Sequence, residues 1–242
     1  MRSVAQHYAE HLAPVYTWMA GGAEAAFSRG AAELASLGLA QGTGLTAVDL
    51  GAGFGMHAIP LARCGYSVLA LDSSAILLSA MRERIGSLAV RTVEADLSDF
   101  PRHLTDQPDL ILCMGDTLTH LPDRESVEQL VGLAARSLKT GGRFILSFRD
   151  YSMPLFDEKR FIPVRSDDQR IQTCFLEYFE EHVLVHDLLQ ERSGAGWTLA
   201  VSAYRKLRLS PDWVVRVLTE AGFSIRREPG LAGMVRLDAT VV

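Results

Sequence analysis

The stretch from Leu45 to Cys64 constrains this chain more than any other. Leu45 to Leu50 is a short apolar run. It leads into Val48-Asp49-Leu50-Gly51-Ala52-Gly53-Phe54-Gly55, a turn with three glycines in five positions. A bounded apolar run of this length reads as a buried strand. Met56 to Cys64 reads as the helix that follows, stopped by Gly65. Pro60 is tolerable there only near the first turn. Glycine permits unusual backbone angles and removes side chains that would block a ligand. Strand, glycine turn and helix in succession predict an α/β unit whose loop meets a ligand at a helix N-terminus.

The alternation continues. Ser67–Leu71, Val90–Glu94, Leu110–Met114 and Arg143–Phe148 read as strands. Residues 74–84 and 123–138 read as helices between them. Such alternation predicts a parallel sheet with helices on both faces and a ligand at the rim where the strands end. Upstream, residues 1–40 read as a helical lid. Tyr8, Leu12, Val15 and Met19 recur at helical spacing, Pro14 interrupts them, and Gly21-Gly22 breaks the segment before a helix over 23–38. Downstream, residues 151–209 read as an irregular polar segment (151–170) followed by three β runs near 171–179, 182–190 and 197–206. These runs form an antiparallel insertion. Ser210-Pro211 starts a helix through Glu220, and strands over 223–228 and 234–240 close the chain. With no repeat or low-complexity linker, residues 1–242 read as one domain.

Composition narrows the function classes. Lys and Arg total 24 against 29 Asp and Glu, a net charge of -5. That balance gives no support to nucleic-acid binding. No stretch is long and apolar enough to span a bilayer, and no signal peptide opens the chain. Cys64, Cys113 and Cys174 form no CxxC pair, so they read as small buried hydrophobes in a reducing compartment. A soluble cytoplasmic protein with no metal site is expected. Its partner would be a small-molecule substrate, with room for a homo-oligomer.

Several residues are placed to do chemistry. Asp49, just before the first glycine, would repel a pyrophosphate but suits a cationic ligand; it could equally stabilise the turn. The third glycine of a dinucleotide fingerprint is absent, since Met56 stands there. Asp72 ends the second strand and could accept two ribose hydroxyls or cap the next helix. Asp96 follows the third strand and could accept from an exocyclic amine or serve as a turn aspartate. Tyr8, Tyr16 and Trp18 form an aromatic group in the lid, for ligand stacking or helix packing. His120 could take a substrate proton or hold the pocket. Arg149 could clamp a carboxylate or make a surface ion pair. Tyr204 is the preferred candidate from the insertion.

Taken together, VDLGAGFG, LALD, EADL and GGRFILSF resemble the class I S-adenosylmethionine-dependent methyltransferases over residues 45–150. YAEHLAPVYTWMAGG and CMGDTLTHL are similar to segments of the small-molecule group related to glycine N-methyltransferase, with Asp116 where Asn often stands. The resemblance implies a Rossmann-like sheet and S-adenosyl-L-methionine as cofactor. It implies that Gly51, Gly53 and Gly55 line the cofactor's amino-acid portion and sugar, and that Asp72 holds the ribose. Asp96 and Leu97 would meet the adenine edge, with Ser73 and Leu77 near the ring. Met114 belongs to the implied cofactor set, and Asp116 would approach the methionine ammonium or the substrate. Tyr16, Trp18 and Asp49 complete the implied cofactor set; His120, Asp116, Arg149 and Tyr204 are the implied catalytic set. The expected reaction is in-line methylation of a small amine. Methylation of a carboxylate or hydroxyl, or cofactor binding without turnover, are the alternatives.

Overall fold

The computed structural model describes residues 4–194 and 196–242. Its main sheet has seven strands. β1 (Thr46–Leu50), β2 (Ser67–Asp72), β3 (Val90–Glu94), β4 (Leu110–Cys113) and β5 (Arg143–Phe148) are parallel. β10 (Phe223–Pro229) and β11 (Val235–Val241) join as an antiparallel pair, giving the order β10-β11-β5-β4-β1-β2-β3. From β1 the chain winds one way to β2 and β3, then the other way to β4 and β5. The strand order therefore reverses between β1 and β4, which opens a crevice beyond their C-terminal ends.

The central strands are buried on both faces, so their alternate residues feed two cores. Val48, Leu50, Ile111 and Phe144 pack with α6 (Arg124–Ser137) and α7 (Pro211–Glu220). Ala47, Ala70, Leu112 and Ile145 face α3 (Ala23–Ser36), α4 (Ala58–Arg63) and α5 (Ala75–Ile85). The helix after the glycine loop begins at Ala58, later than its sequence suggests. That places Pro60 in the first turn, where its missing N–H costs nothing. Ser74 caps α5 by accepting from Leu77 N.

The N-terminal segment is one irregular helix. α1 (Val4–His7) runs into a π-helical turn over Tyr8–Leu12, then α2 (Ala13–Met19). Pro14 sits in the first turn of α2, and the wide turn before it carries an Ala13 N–H to Tyr8 carbonyl bond. The proline thus shifts the ladder rather than ending the helix.

The insertion carries a fourth strand beyond the three expected. β6 (Phe161–Ser166), β7 (Arg170–Tyr178), β8 (His182–Ser193) and β9 (Gly196–Leu207) form an antiparallel sheet in that order. β6 lies in the segment read as irregular. It is exposed at every position, contains Pro163 and shifts register between Pro163 and Arg165, so neither alternation nor composition marks it as a strand. The inner face of this sheet packs Leu176, Val183, Val185 and Tyr204 against Leu12 and Tyr151. It roofs the rim of the main sheet, with the N-terminal helix wedged between. Cys113 is a core hydrophobe, whereas Cys174 donates to Asp187 Oδ1 at 2.9 Å. Among the described residues no helix is long and apolar enough to cross a membrane.

Candidate active site

The glycine loop leaves β1 at the crevice. Gly51 and Ala52 both donate to the Leu71 carbonyl at 2.9 Å, which bends the chain over the end of β2. A side chain at Gly51 would strike Thr117, 2.4 Å from where its Cβ would stand. Gly53 adopts φ 55° and meets nothing closer than Leu77 at 3.9 Å, so the space above its backbone is open to a ligand. Gly55 instead packs against Met81 and Ile59. Two of the three glycines therefore build the turn, and Gly53 leaves room above it.

Asp72 fastens this loop. Its Oδ2 accepts from Gly53 N and its Oδ1 from Ser74 N, each at 2.8 Å. Burial raises its pKa and the Ser74, Gly53 and Ser73 N–H groups oppose that rise. A carboxylate offers about four lone-pair sites, so acceptors remain for a diol. Asp49 is buried, and its pKa is pushed up to about 6 by burial, against the pull of His57 and the Ala58 N–H. Its Oδ2 has no hydrogen-bond partner among the described residues. A buried carboxylate oxygen left open at a crevice calls for a cation or a donor. His57 is committed to Glu33 at 3.0 Å.

At the ends of β2 and β3 the expected residues divide. Asp96 is exposed, and its Oδ1 caps the short helix Leu97–His103 through Ser98 N at 2.9 Å and Ser98 Oγ at 2.6 Å. Leu97 packs partly into the core beside β3. Ser73 is exposed beside Asp72. Leu77 is buried, packed in the core cluster beside Gly53. Its side chain is the nearest neighbour of the space beside Gly53, at 3.9 Å.

Beyond β4 lies the second half of the site. Met114 is buried, and Asp116 takes the left-handed conformation at φ 77°. Asp and Asn tolerate that geometry better than other non-glycine residues, which explains an Asn-or-Asp position here. Asp116 Oδ1 accepts from Arg149 N at 2.9 Å; its Oδ2 accepts from Tyr151 Oη at 3.3 Å and pairs with Lys206 Nζ. Burial alone would raise the Asp116 pKa, but Lys206 outweighs it and the net shift is downward. The same pairing overcomes burial to raise Lys206. Asp116, expected to approach the methionine ammonium or the substrate, is held in a buried ion pair with Lys206 of the insertion.

His120 Nε2 lies 3.4 Å from Tyr8 Oη, and its Nδ1 is buried with no partner among the described residues. Burial, then Lys206, press its pKa down to about 3, so the ring is neutral near pH 7. Tyr204 stacks on His120 with centroids 5.4 Å apart, and His7 stacks on Tyr204 at 4.2 Å. His7 in turn bonds Ser202 Oγ at 2.7 Å and Asp187 Oδ2 at 2.9 Å. Tyr16 sits 5.9 Å from Tyr8 and 6.0 Å from Phe54 of the glycine loop, bridging the two halves. Burial raises the pKa of Tyr8, Tyr16 and Tyr204 alike.

Two expected residues are elsewhere. Trp18 donates to Asp167 and lies between Arg165 and Arg170, facing the insertion and not the glycine loop. Two residues past Tyr16 means about 200° around a helix, so the two rings point apart. Arg149 has an exposed side chain whose Nη1 donates to the Ala232 carbonyl at 3.0 Å; only its backbone N–H serves Asp116. Among the described residues its guanidinium makes no ion pair. Lys206, His7 and Asp187 were not singled out from sequence. Period-two alternation places Ser202, Tyr204 and Lys206 on one face of β9, and that signal could have found Lys206.

Residues 47–142 match the sequence profile of a methyltransferase domain. A glycine/sarcosine N-methyltransferase from Aphanothece halophytica is 30% identical over 110 residues. The match takes in 45% of this chain and 42% of that protein. Among solved structures, the CcbJ methyltransferase from Streptomyces caelestis superposes with a TM-score of 0.77 at 19% identity, covering 97% of each chain. S-adenosylmethionine-bound CalS10, an amino pentose methyltransferase from Micromonospora echinaspora, gives 0.71 at 17% identity over 95% of this chain and 96% of that one. The chain shares the fold of these methyltransferase structures, and its residues 47–142 match a methyltransferase domain.

Proposed function

We propose that this protein is an S-adenosylmethionine-dependent methyltransferase acting on a small molecule, with an amine nitrogen as the acceptor. The observation that carries the cofactor reading is the pair of carboxylates at the glycine loop. Asp49 has an open, buried oxygen suited to an ammonium. Asp72 is aligned by two backbone N–H groups, with lone pairs left for a ribose diol. The bound cofactor supplies a methyl group on a sulfonium, transferred by in-line displacement.

The acceptor reading rests on what titrates in the second half. A hydroxyl must lose its proton to attack, and that calls for a base with a pKa near the working pH. His120, at about 3, is too weak a base, and the tyrosines stay protonated. A neutral amine attacks with its own lone pair and needs no base at the chemical step. A carboxylate acceptor, already anionic, needs no base either, so the lack of a base separates amines from alcohols and not from acids. Lys206 is taken by Asp116, and Arg149 is turned to Ala232. The name of one relative, a glycine/sarcosine N-methyltransferase, points the same way. Tyr8, Tyr16 and Tyr204 would shape the acceptor's approach and exclude water, while His120 offers one hydrogen-bonding nitrogen to orient it.

The test is transfer of labelled methyl from S-adenosylmethionine to matched amines, alcohols and carboxylic acids. Methylated amines are the expected products. Methylation of alcohols or acids alone would overturn the acceptor reading and leave the cofactor reading standing. A chain that binds NAD tightly and neither adenosyl compound would overturn both.

A further inference from the structure

The two edges of the insertion sheet differ in a way that has a consequence for assembly. β6, at one edge, is blunted: it carries Pro163 and Arg165 and breaks register between them. Natural sheets protect open edges with such devices, because unpaired backbone groups recruit another strand. β9, at the other edge, has none of them over its first eight residues. Gly196 to Ala203 contains no charge, no proline and no bulge. Trp197, Leu199 and Val201 are 46%, 56% and 53% exposed.

The hydrogen-bond phase of this edge is readable. Arg208 N donates to the Glu181 carbonyl at 2.9 Å, and the β8–β9 register continues that pairing in steps of two. Even-numbered residues of β9 therefore spend their backbone groups on β8. Trp197, Leu199 and Val201 turn theirs outward, because opposed residues alternate between bonded and non-bonded pairs. The same three residues place their side chains on the face opposite Tyr204 and Lys206.

We infer that the first half of β9 pairs antiparallel with β9 of a second copy of this chain, joining two four-stranded sheets into one of eight. An antiparallel strand is its own complement about a two-fold axis. With Leu199 on the axis, Leu199 meets its own copy and Trp197 meets Val201 of the partner. These are aromatic to β-branched and aliphatic pairs, which favour such ladders. Gly196–Ala203 carries no charge, so no like-charged side chains of the paired segments face each other; Arg192 lies over the Trp197 ring of its own chain. The pairing leaves the inner face of the sheet, with Tyr204 and Lys206, turned to the site. This inference is independent of the reaction proposed above.

Sedimentation equilibrium of the full chain should give twice 26.5 kDa. Leu199→Lys, which sets two ammonium groups across the axis, should return the mass to 26.5 kDa with an unchanged far-ultraviolet dichroism spectrum. Leu199→Cys should be joined into a covalent dimer by a short bifunctional thiol reagent, since a bonded pair on the axis sits about 5.5 Å apart between Cα atoms. Val201→Cys, displaced from its own copy along the strand, should stay uncoupled, and the wild type with its three cysteines sets the background. A monomeric wild type at all concentrations overturns the inference. So does a dimer in which Val201→Cys couples as well as Leu199→Cys, or in which Leu199→Cys does not couple.

Discussion

The two halves of the site are held together by different means. Around the glycine loop, carboxylates engage backbone N–H groups on neighbouring turns: Asp72 holds Gly53 and Ser74, and Asp96 holds Ser98. Around Asp116 and His120, side chains engage side chains from distant parts of the chain. Lys206 reaches Asp116 across 90 positions, and His7 reaches Asp187 across 180. The first arrangement leaves lone pairs and one orphaned oxygen for a charged ligand. The second closes its own charges and presents rings and a neutral imidazole. A ligand that carries both an ammonium and a sugar fits the first half; an uncharged nucleophile fits the second.

The comparison breaks most sharply at Lys206. Lys206→Met leaves Asp116 buried without its counter-charge, and removing one partner of a buried pair costs about 3–5 kcal/mol. Thermal unfolding should show that loss. Asp116→Asn combined with Lys206→Met should recover much of it, since the remaining groups are then uncharged. Additive losses in the double variant would mean that the pair is not coupled as drawn.

Asp72→Ala tests the other half. Losing charged hydrogen bonds to ribose should weaken S-adenosylhomocysteine binding by about 1.5–3 kcal/mol, read by calorimetry. The protein should also melt earlier, because the Gly53 and Ser74 N–H groups lose their acceptor. A folded variant with unchanged affinity would remove Asp72 from the cofactor site.

Asp49 sharpens the comparison with opposite signs in free and bound protein. Its folded pKa of about 6 lies above the ordinary 3.8, so ionising it opposes folding. Stability from this group is present below 3.8, is lost as pH rises to about 6, and at pH 7 the cost is on the order of 3 kcal/mol. Asp49→Asn should therefore stabilise the ligand-free protein at pH 7. It should weaken cofactor binding, since an ammonium loses its counter-charge. In the wild type a bound cation lowers the Asp49 pKa, so affinity should fall as pH drops below about 6. A destabilised ligand-free Asp49→Asn would show that the carboxylate is satisfied and not held open.

Legibility in the sequence follows the same division. The glycine turn and the strand-end acids are local signals, because each sits within a few residues of the backbone it organises. The fold alternation and the place of the insertion were readable for that reason. Asp116 looked free because its partner is on another sheet, and Arg149 looked available because the Ala232 carbonyl that engages it is formed by a distant turn. Trp18 shares a segment with Tyr16, and only the helical rotation separates their directions. β6 escaped because an exposed, proline-bearing edge strand has no burial pattern to read.

The most direct test is the pH dependence of methyl transfer at saturating S-adenosylmethionine, measured with two acceptor amines of different pKa. His120 lies at about 3 and Asp116 is held below its ordinary value, so neither serves as a base near neutrality. The rate should rise with pH for both amines, and the inflection should move with the amine's own pKa. An inflection fixed near neutrality and identical for both amines would show that a protein base takes the proton, contradicting a site that relies on the acceptor's own lone pair.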